Sequence, residues 1–229
     1  MTLQKWGGIA AIVQAGIYVF GMALFLSVLD ASGLQDPGLR LGFLIENRDL
    51  FFLGYVIIGI VFSFALIVLV QATYRRFAQP FPELVACNAV VGHIWACLVL
   101  AAYMIALIGL NATAAYYPQD PEMALTVHRA VEVVSNALGG GIEIVGAVWV
   151  LGISYVGLKG RIYSAWLHRW GVVVGVAGVL TLFSGLSFMS ANPVFEGMAA
   201  IFGLGQIFWF IGLGVAMLNE GDDAAEVGP

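Results

Sequence analysis

HRAVEVVSNALGGGIEIVGAVWVLGISYVGL, residues 128–158, decides how the chain is read. A bilayer crossing needs about 20 predominantly apolar residues, and this run meets that length with Glu143 near its middle. Glu132, Asn136, Gly140 and Glu143 recur at i, i+4, i+8 and i+11, so a helix sets them on roughly one face. A carboxylate at membrane depth is costly and turns toward protein, a water-filled cavity or a partner. The stretch therefore predicts a transmembrane helix with a candidate site at Glu143.

The rest of the chain extends this pattern. Of 229 residues 61% are hydrophobic and 10% charged, against roughly 45–50% apolar in soluble domains. The apolar residues gather into six runs, near 6–29, 50–73, 84–111, 128–157, 167–190 and 195–218. The expected fold is an all-α polytopic membrane bundle of six transmembrane helices. It forms a single domain over 1–218, followed by an acidic cytoplasmic tail over 219–229. Lys5 precedes the first run, but that run exceeds the 7–15 residues of a signal core and reads as a retained span.

Basic residues set the orientation. Lys5, Arg75, Arg76, Lys159, Arg161 and Arg169 fall on one side, and Arg40, Arg48 and Arg129 on the other. The richer side faces the cytoplasm, so both termini are expected inside. Trp6, Tyr74, Tyr116, Tyr117, Tyr163, Trp166 and Trp170 lie near span ends, as interfacial aromatics do. Residues 30–49 hold turn signals and then Leu39, Leu41, Phe43, Leu44 and Ile45, which predict a short helix on the outer membrane surface.

The net charge is −5, and four acids of the tail, Glu220, Asp222, Asp223 and Glu226, carry most of it. Nucleic-acid binding has no electrostatic support. Cys87 and Cys97 stand ten residues apart in one predicted helix, roughly 15 Å, too far to pair with each other. The expected partners are the lipid bilayer, an unidentified small-molecule ligand, and a second copy or a larger membrane complex.

The polar residues inside the spans define the candidate site. Gln14, His93, Glu143 and Gln206 fall within about one and a half turns of the bilayer centre, counted at 1.5 Å per residue from each span start. The expectation is a single polar layer of these four, with Asn136 on the Glu143 face. Glu143 and His93 form the natural pair, because a carboxylate fixes an imidazole tautomer. That pairing reads first as a buried hydrogen bond holding two helices together, then as a proton or solute site, and last as part of a metal site. Arg48, His128 and Glu132, with Arg129, form an outer charge cluster. His93 and Cys97 at i, i+4 make only half a metal site, so neither a metal nor a cofactor is expected. Gly139, Gly140 and Gly141 either break the helix beside Glu143 or make a groove for a bulky neighbour such as Trp95. Gly171, Gly175 and Gly178 predict close helix packing within the bundle or, as the lesser reading, a homodimer face. His168, beside Arg169 at a span end, is expected at the interface.

In layout the chain resembles a family of bacterial six-span integral membrane proteins known as a domain of unknown function. Two patterns carry the resemblance. In Leu41–Phe77 an outer-surface segment leads into a span ending in YRRF; in Gly160–Leu180, GRIYSAWLHRWGVVVGVAGVL, a basic turn enters a glycine-rich span. The resemblance implies a multi-pass protein of a bacterial inner membrane and lends Glu143 no role. Three function classes stay open: binding or transport of a small solute or proton, an accessory subunit of a larger membrane complex, and a membrane-embedded enzyme acting on a lipid.

Overall fold

The computed structural model describes residues 1–139, 144–189 and 192–220. Among them every regular element is helical. Five helical stretches among the described residues are long and apolar enough to span a membrane: Leu3–Val28, Arg48–Phe77, Pro82–Tyr116, Ala165–Gly185 and Val194–Asn219. In none of them is more than 50% of the most apolar window buried. Trp6, Phe64, Ile108, Phe188 and Phe208 are more than half exposed. Apolar surface on that scale needs lipid around it, and the protein is a membrane protein.

The first stretch is α1 (Leu3–Ala23), continued by a π-helical turn, Leu24–Val28. Helix α2 (Pro37–Glu46) realises the short helix expected in residues 30–49. Asp36 caps it by accepting from Leu39 N–H at 3.0 Å, Pro37 opens it, and Leu41 and Leu44 are its buried side chains. The second stretch comprises α3 (Arg48–Tyr55), a π-helical segment Val56–Val61, and α4 (Phe62–Phe77). The third is one helix, α5 (Pro82–Tyr116), of 35 residues, about 52 Å long at 1.5 Å per residue.

The run expected as one span over 128–157 is described as two helices, α6 (Pro121–Gly139) and α7 (Ile144–Gly160). Asp120 caps α6 by accepting from Met123 N–H at 2.9 Å. Residues 140–143, which include Gly140, Gly141 and Glu143, lie outside the described residues. The last two stretches are α8 (Ala165–Thr181), extended by a 3-10 turn to Gly185, and α9 (Val194–Asn219).

The chain forms two compact units. The first comprises Met1–Gly16, Phe64–Ala96 and Ile142–Pro229. Its core is α7 packed on α8 and α9 through small residues. A methyl group on Gly171 would come inside 3 Å of Ser154 Oγ and Trp209 Nε1; on Gly178 it would meet Phe202 and Ala147. The glycines of α8 thus serve packing within the unit, where backbones approach closely. Trp95, Trp149 and Trp209 form a run of rings with centroids 5.9 and 5.7 Å apart. Trp95 lies against Gly146, five residues past the triple glycine that was expected to receive it.

One end of this unit is tied by a polar network. Glu220 accepts from Arg76 Nε at 2.8 Å, from Tyr163 Oη at 2.9 Å and from Gln4 Nε2 at 2.7 Å. The Arg76 guanidinium stands 5.4 Å over the Tyr163 ring. Tyr163 sits at φ 60° and Arg161 at φ 53°, a conformation that costs a non-glycine residue about 1–3 kcal/mol and needs support from its surroundings. The network supplies that support at Tyr163. Tyr163, expected as a membrane-surface aromatic, is instead half-buried in it. Glu220, expected in the free acidic tail, is its anchor. His168 is wholly buried rather than interfacial, and its Nε2–H donates to the Ile162 carbonyl at 2.6 Å, closing the same turn.

The second unit comprises Ile17–Ser63 and Cys97–Gly141. Leu24, Leu29, Leu44, Phe51 and Leu110 form its core. An aromatic stack adjoins it, with Phe25 over Tyr55 at 6.3 Å and Tyr103 edge-on to Tyr55 at 5.8 Å. The π-helical segment carries Gly59, whose missing side chain leaves room for the Tyr103 ring. Ser63 Oγ donates to the Gly59 carbonyl at 2.7 Å, satisfying a backbone group where the wider turn disturbs the usual ladder.

Candidate functional site

The expected polar layer divides into separate parts. Gln14 and Gln206 are both wholly buried in the first unit. Gly8 of α1 packs on Gly214 of α9. Counting along antiparallel helices, Gln14 lies about 9 Å from that contact and Gln206 about 12 Å, so the two share a level. His93 belongs to a different arrangement. Its Nδ1–H donates to the Ala89 carbonyl at 2.6 Å, which leaves Nε2 to accept from Gln71 Nε2 at 2.9 Å. Gln71 is exposed, so the pair lies toward the surface of the unit. Glu143, the expected partner of His93, lies outside the described residues.

Asn136 belongs to the second unit and lines a cavity of about 160 Å³. Six polar side chains face that cavity: Tyr55, Tyr103, His128, Glu132, Ser135 and Asn136. Four of them come from α6, at i, i+4, i+7 and i+8 from His128, which is one helical face. Tyr55 comes from α3 and Tyr103 from α5. Leu44, Ala102, Ala106, Leu110 and Val131 complete the wall. The two alanines on α5 leave the space. Val131 seats α6, because its side chain occupies the place a Cβ on Gly109 would take.

His128 and Glu132 form a pair across one turn, with Nε2 and Oε1 3.5 Å apart. The Glu132 carboxylate is 57% exposed and the His128 ring 21%, so the acid sits at the mouth and the imidazole deeper. Ser135 Oγ is buried with no hydrogen-bond partner among the described residues. The outer charge cluster is only partly assembled. His128 and Glu132 meet, whereas the Arg48 guanidinium donates to Asn111 Oδ1 at 2.9 Å, and Arg129 is exposed.

An apolar cavity of about 150 Å³ admits benzene, so this one is sized for a molecule of roughly six to ten non-hydrogen atoms. Hydroxyls, an amide, an imidazole and a carboxylate on one side, with alkyl groups on the other, suit a small amphipathic solute. Among the described residues no group of three or more His, Cys, Asp or Glu side chains converges as metal ligands do. No family model, curated protein or solved structure matches the chain.

Sequence reasoning reached three of the six polar lining residues, Asn136, His128 and Glu132, but assigned them to two different features. Ser135 shares their helical face and was open to the same reading. Tyr55 and Tyr103 carried one weak signal: they stand inside apolar stretches rather than at the ends where tyrosines usually lie.

Proposed function

We propose that this protein is a six-span membrane protein that binds a small solute in the cavity of its second unit, as a step in moving that solute. The cavity itself carries the reading. In a chain with 10% charged residues, six polar side chains from three helices face one space of ligand size. The accessory-subunit alternative calls for a bare small-residue face on the fifth or sixth span. On the fifth span Gly171, Gly175 and Gly178 are instead covered by Ser154, Leu151 and Phe202, which counts against such a face there, while Gly203 on the sixth meets nothing within 4 Å.

Six crossings, with both termini on the cytoplasmic side, fit the contacts at one end of the first unit. There Gln4, Arg76, Tyr163 and Glu220 meet, so α1 begins where α4, α7 and α9 end. Pro80, just before α5, touches Gly160 at the end of α7. The chain leaves that end with α5 and is back at it by Gly160, so the six-crossing reading counts one return between residues 116 and 160. Five of the nine Lys and Arg residues lie within the segments that meet there or directly beside them, which favours the cytoplasmic side. A bacterial inner membrane follows from the resemblance of YRRF and GRIYSAW to the six-span family, and Arg76 and Tyr163 bring those two motifs into contact.

A thermal-shift screen of small polar molecules of about benzene's size tests the binding reading. A ligand at 100 times its Kd stabilises by about 2.7 kcal/mol. Hits are expected to raise the unfolding midpoint of the wild type and to lose the effect on Ala106→Trp, whose indole fills the cavity. A hit set shared by both proteins would remove the reading.

A further inference from the structure

We infer that the cavity takes a small organic ammonium ion. The inference rests on the proposed solute site and names its ligand class. Among the described residues that line the cavity, Glu132 is the sole carboxylate, and none is lysine or arginine. The one basic group there, the His128 imidazole, lies 3.5 Å from Glu132 on the same helix. The guanidinium of Arg48, in the same unit, is held by Asn111 instead. Glu132, 57% exposed at the mouth, thus sets a negative charge at the entrance of a lining that holds no lysine or arginine among the described residues, and such a charge draws a cation in.

The remaining walls suit an organic cation better than a metal ion. Tyr55 and Tyr103 line the cavity, and a phenol oxygen accepts from an N–H donor. Ser135 Oγ, buried and without a partner among the described residues, and the Asn136 amide accept N–H donors. Leu44, Ala106 and Leu110 accommodate a hydrocarbon body. A metal ion would find one carboxylate and one imidazole, short of the three or four ligands it requires. An anion would meet the acid at the mouth with no fixed positive charge to offset it.

Three probes of one shape separate the possibilities: benzylammonium, benzyl alcohol and benzoate. Saturable binding of each is measured on the full-length protein in nanodiscs, with empty nanodiscs as the partition blank. The expected order on the wild type is benzylammonium at least tenfold tighter than benzyl alcohol, with benzoate weakest. Glu132→Gln, at a half-exposed side chain, is expected to weaken benzylammonium at least tenfold and benzyl alcohol far less. Equal affinity for ammonium and alcohol on the wild type would overturn the cation assignment while the solute site stands. Binding of none of the three, or binding undiminished in Ala106→Trp, would overturn both. The wild-type comparison needs no variant, so it decides the matter even if a substituted protein fails to fold.

Discussion

Gly171→Leu is expected to leave no folded, monodisperse protein in detergent, whereas Gly203→Leu leaves it intact. Both glycines lie within membrane-spanning helices, and a hydropathy reading treats the two substitutions alike. The packing does not. A Cβ at 171 already intrudes on Ser154 Oγ and Trp209 Nε1, and both residues are wholly buried. Overpacking a filled core costs about 1–3 kcal/mol where neighbours can shift. Trp209 cannot withdraw, because Trp149 and Phe210 hold it from two sides at 5.7 and 5.3 Å. At 203 the added atoms meet nothing within 4 Å, and leucine improves on glycine in a helix by about 0.8 kcal/mol. Size-exclusion chromatography of the two variants reads the difference directly. An equally folded Gly171→Leu would mean that α8 does not seat on α7 and α9 through this face.

Arg76→Ala is expected to lower the unfolding midpoint and to remove part of its dependence on pH. The substitution strips the guanidinium from Glu220, whose side chain is 17% exposed. A fully buried broken pair costs more, and a surface pair almost nothing, so this partly exposed one is worth about 1–3 kcal/mol. For a chain of this length that is roughly 3–10 °C. Burial acts to raise the Glu220 carboxyl, but the hydrogen bonds from Arg76 and Tyr163 outweigh it and hold the group below its ordinary value of 4.5. The folded protein therefore holds that proton less tightly than the unfolded chain. The network's contribution is complete above pH 4.5 and fades as the pH falls below it. Tyr163 behaves in the opposite sense. Burial, and then Glu220, push its phenol above the ordinary value of 10.0, so its contribution is present below pH 10 and lost as the pH rises through the folded value. Glu220→Gln is expected to flatten the acid limb of the midpoint-against-pH curve. A wild-type curve already flat on that side would contradict the network.

Five of the spans were legible because each is a long apolar run closed by a recognisable stop, such as Pro80-Phe81-Pro82 before α5 or Asn192-Pro193 before α9. The stretch over 128–157 was harder to read. Its first part, α6, is amphipathic and carries Arg129 and Glu132, whereas its second part, α7, is apolar and buried. Hydropathy alone hid that the helix opens earlier, capped at Asp120, and that α6 carries a polar face. The Arg76–Tyr163–Glu220 network was illegible for another reason: its members are 57 and 144 residues from Glu220, and no local pattern links such distances. The glycines told more. Their spacing on α8 named the packing face, and the bulky partners in the structure, Trp209 and Phe202, sit where that spacing allows them.

The most direct measurement is anomalous diffraction from crystals of the full-length protein grown with 4-bromobenzylammonium. A bromine peak is expected in the second unit, among Ala106, Leu110 and the rings of Tyr55 and Tyr103, with the ammonium reaching Glu132. A bromine peak found only elsewhere, or α6 closed against Tyr55 and Tyr103 so that no space remains, would contradict the cation site.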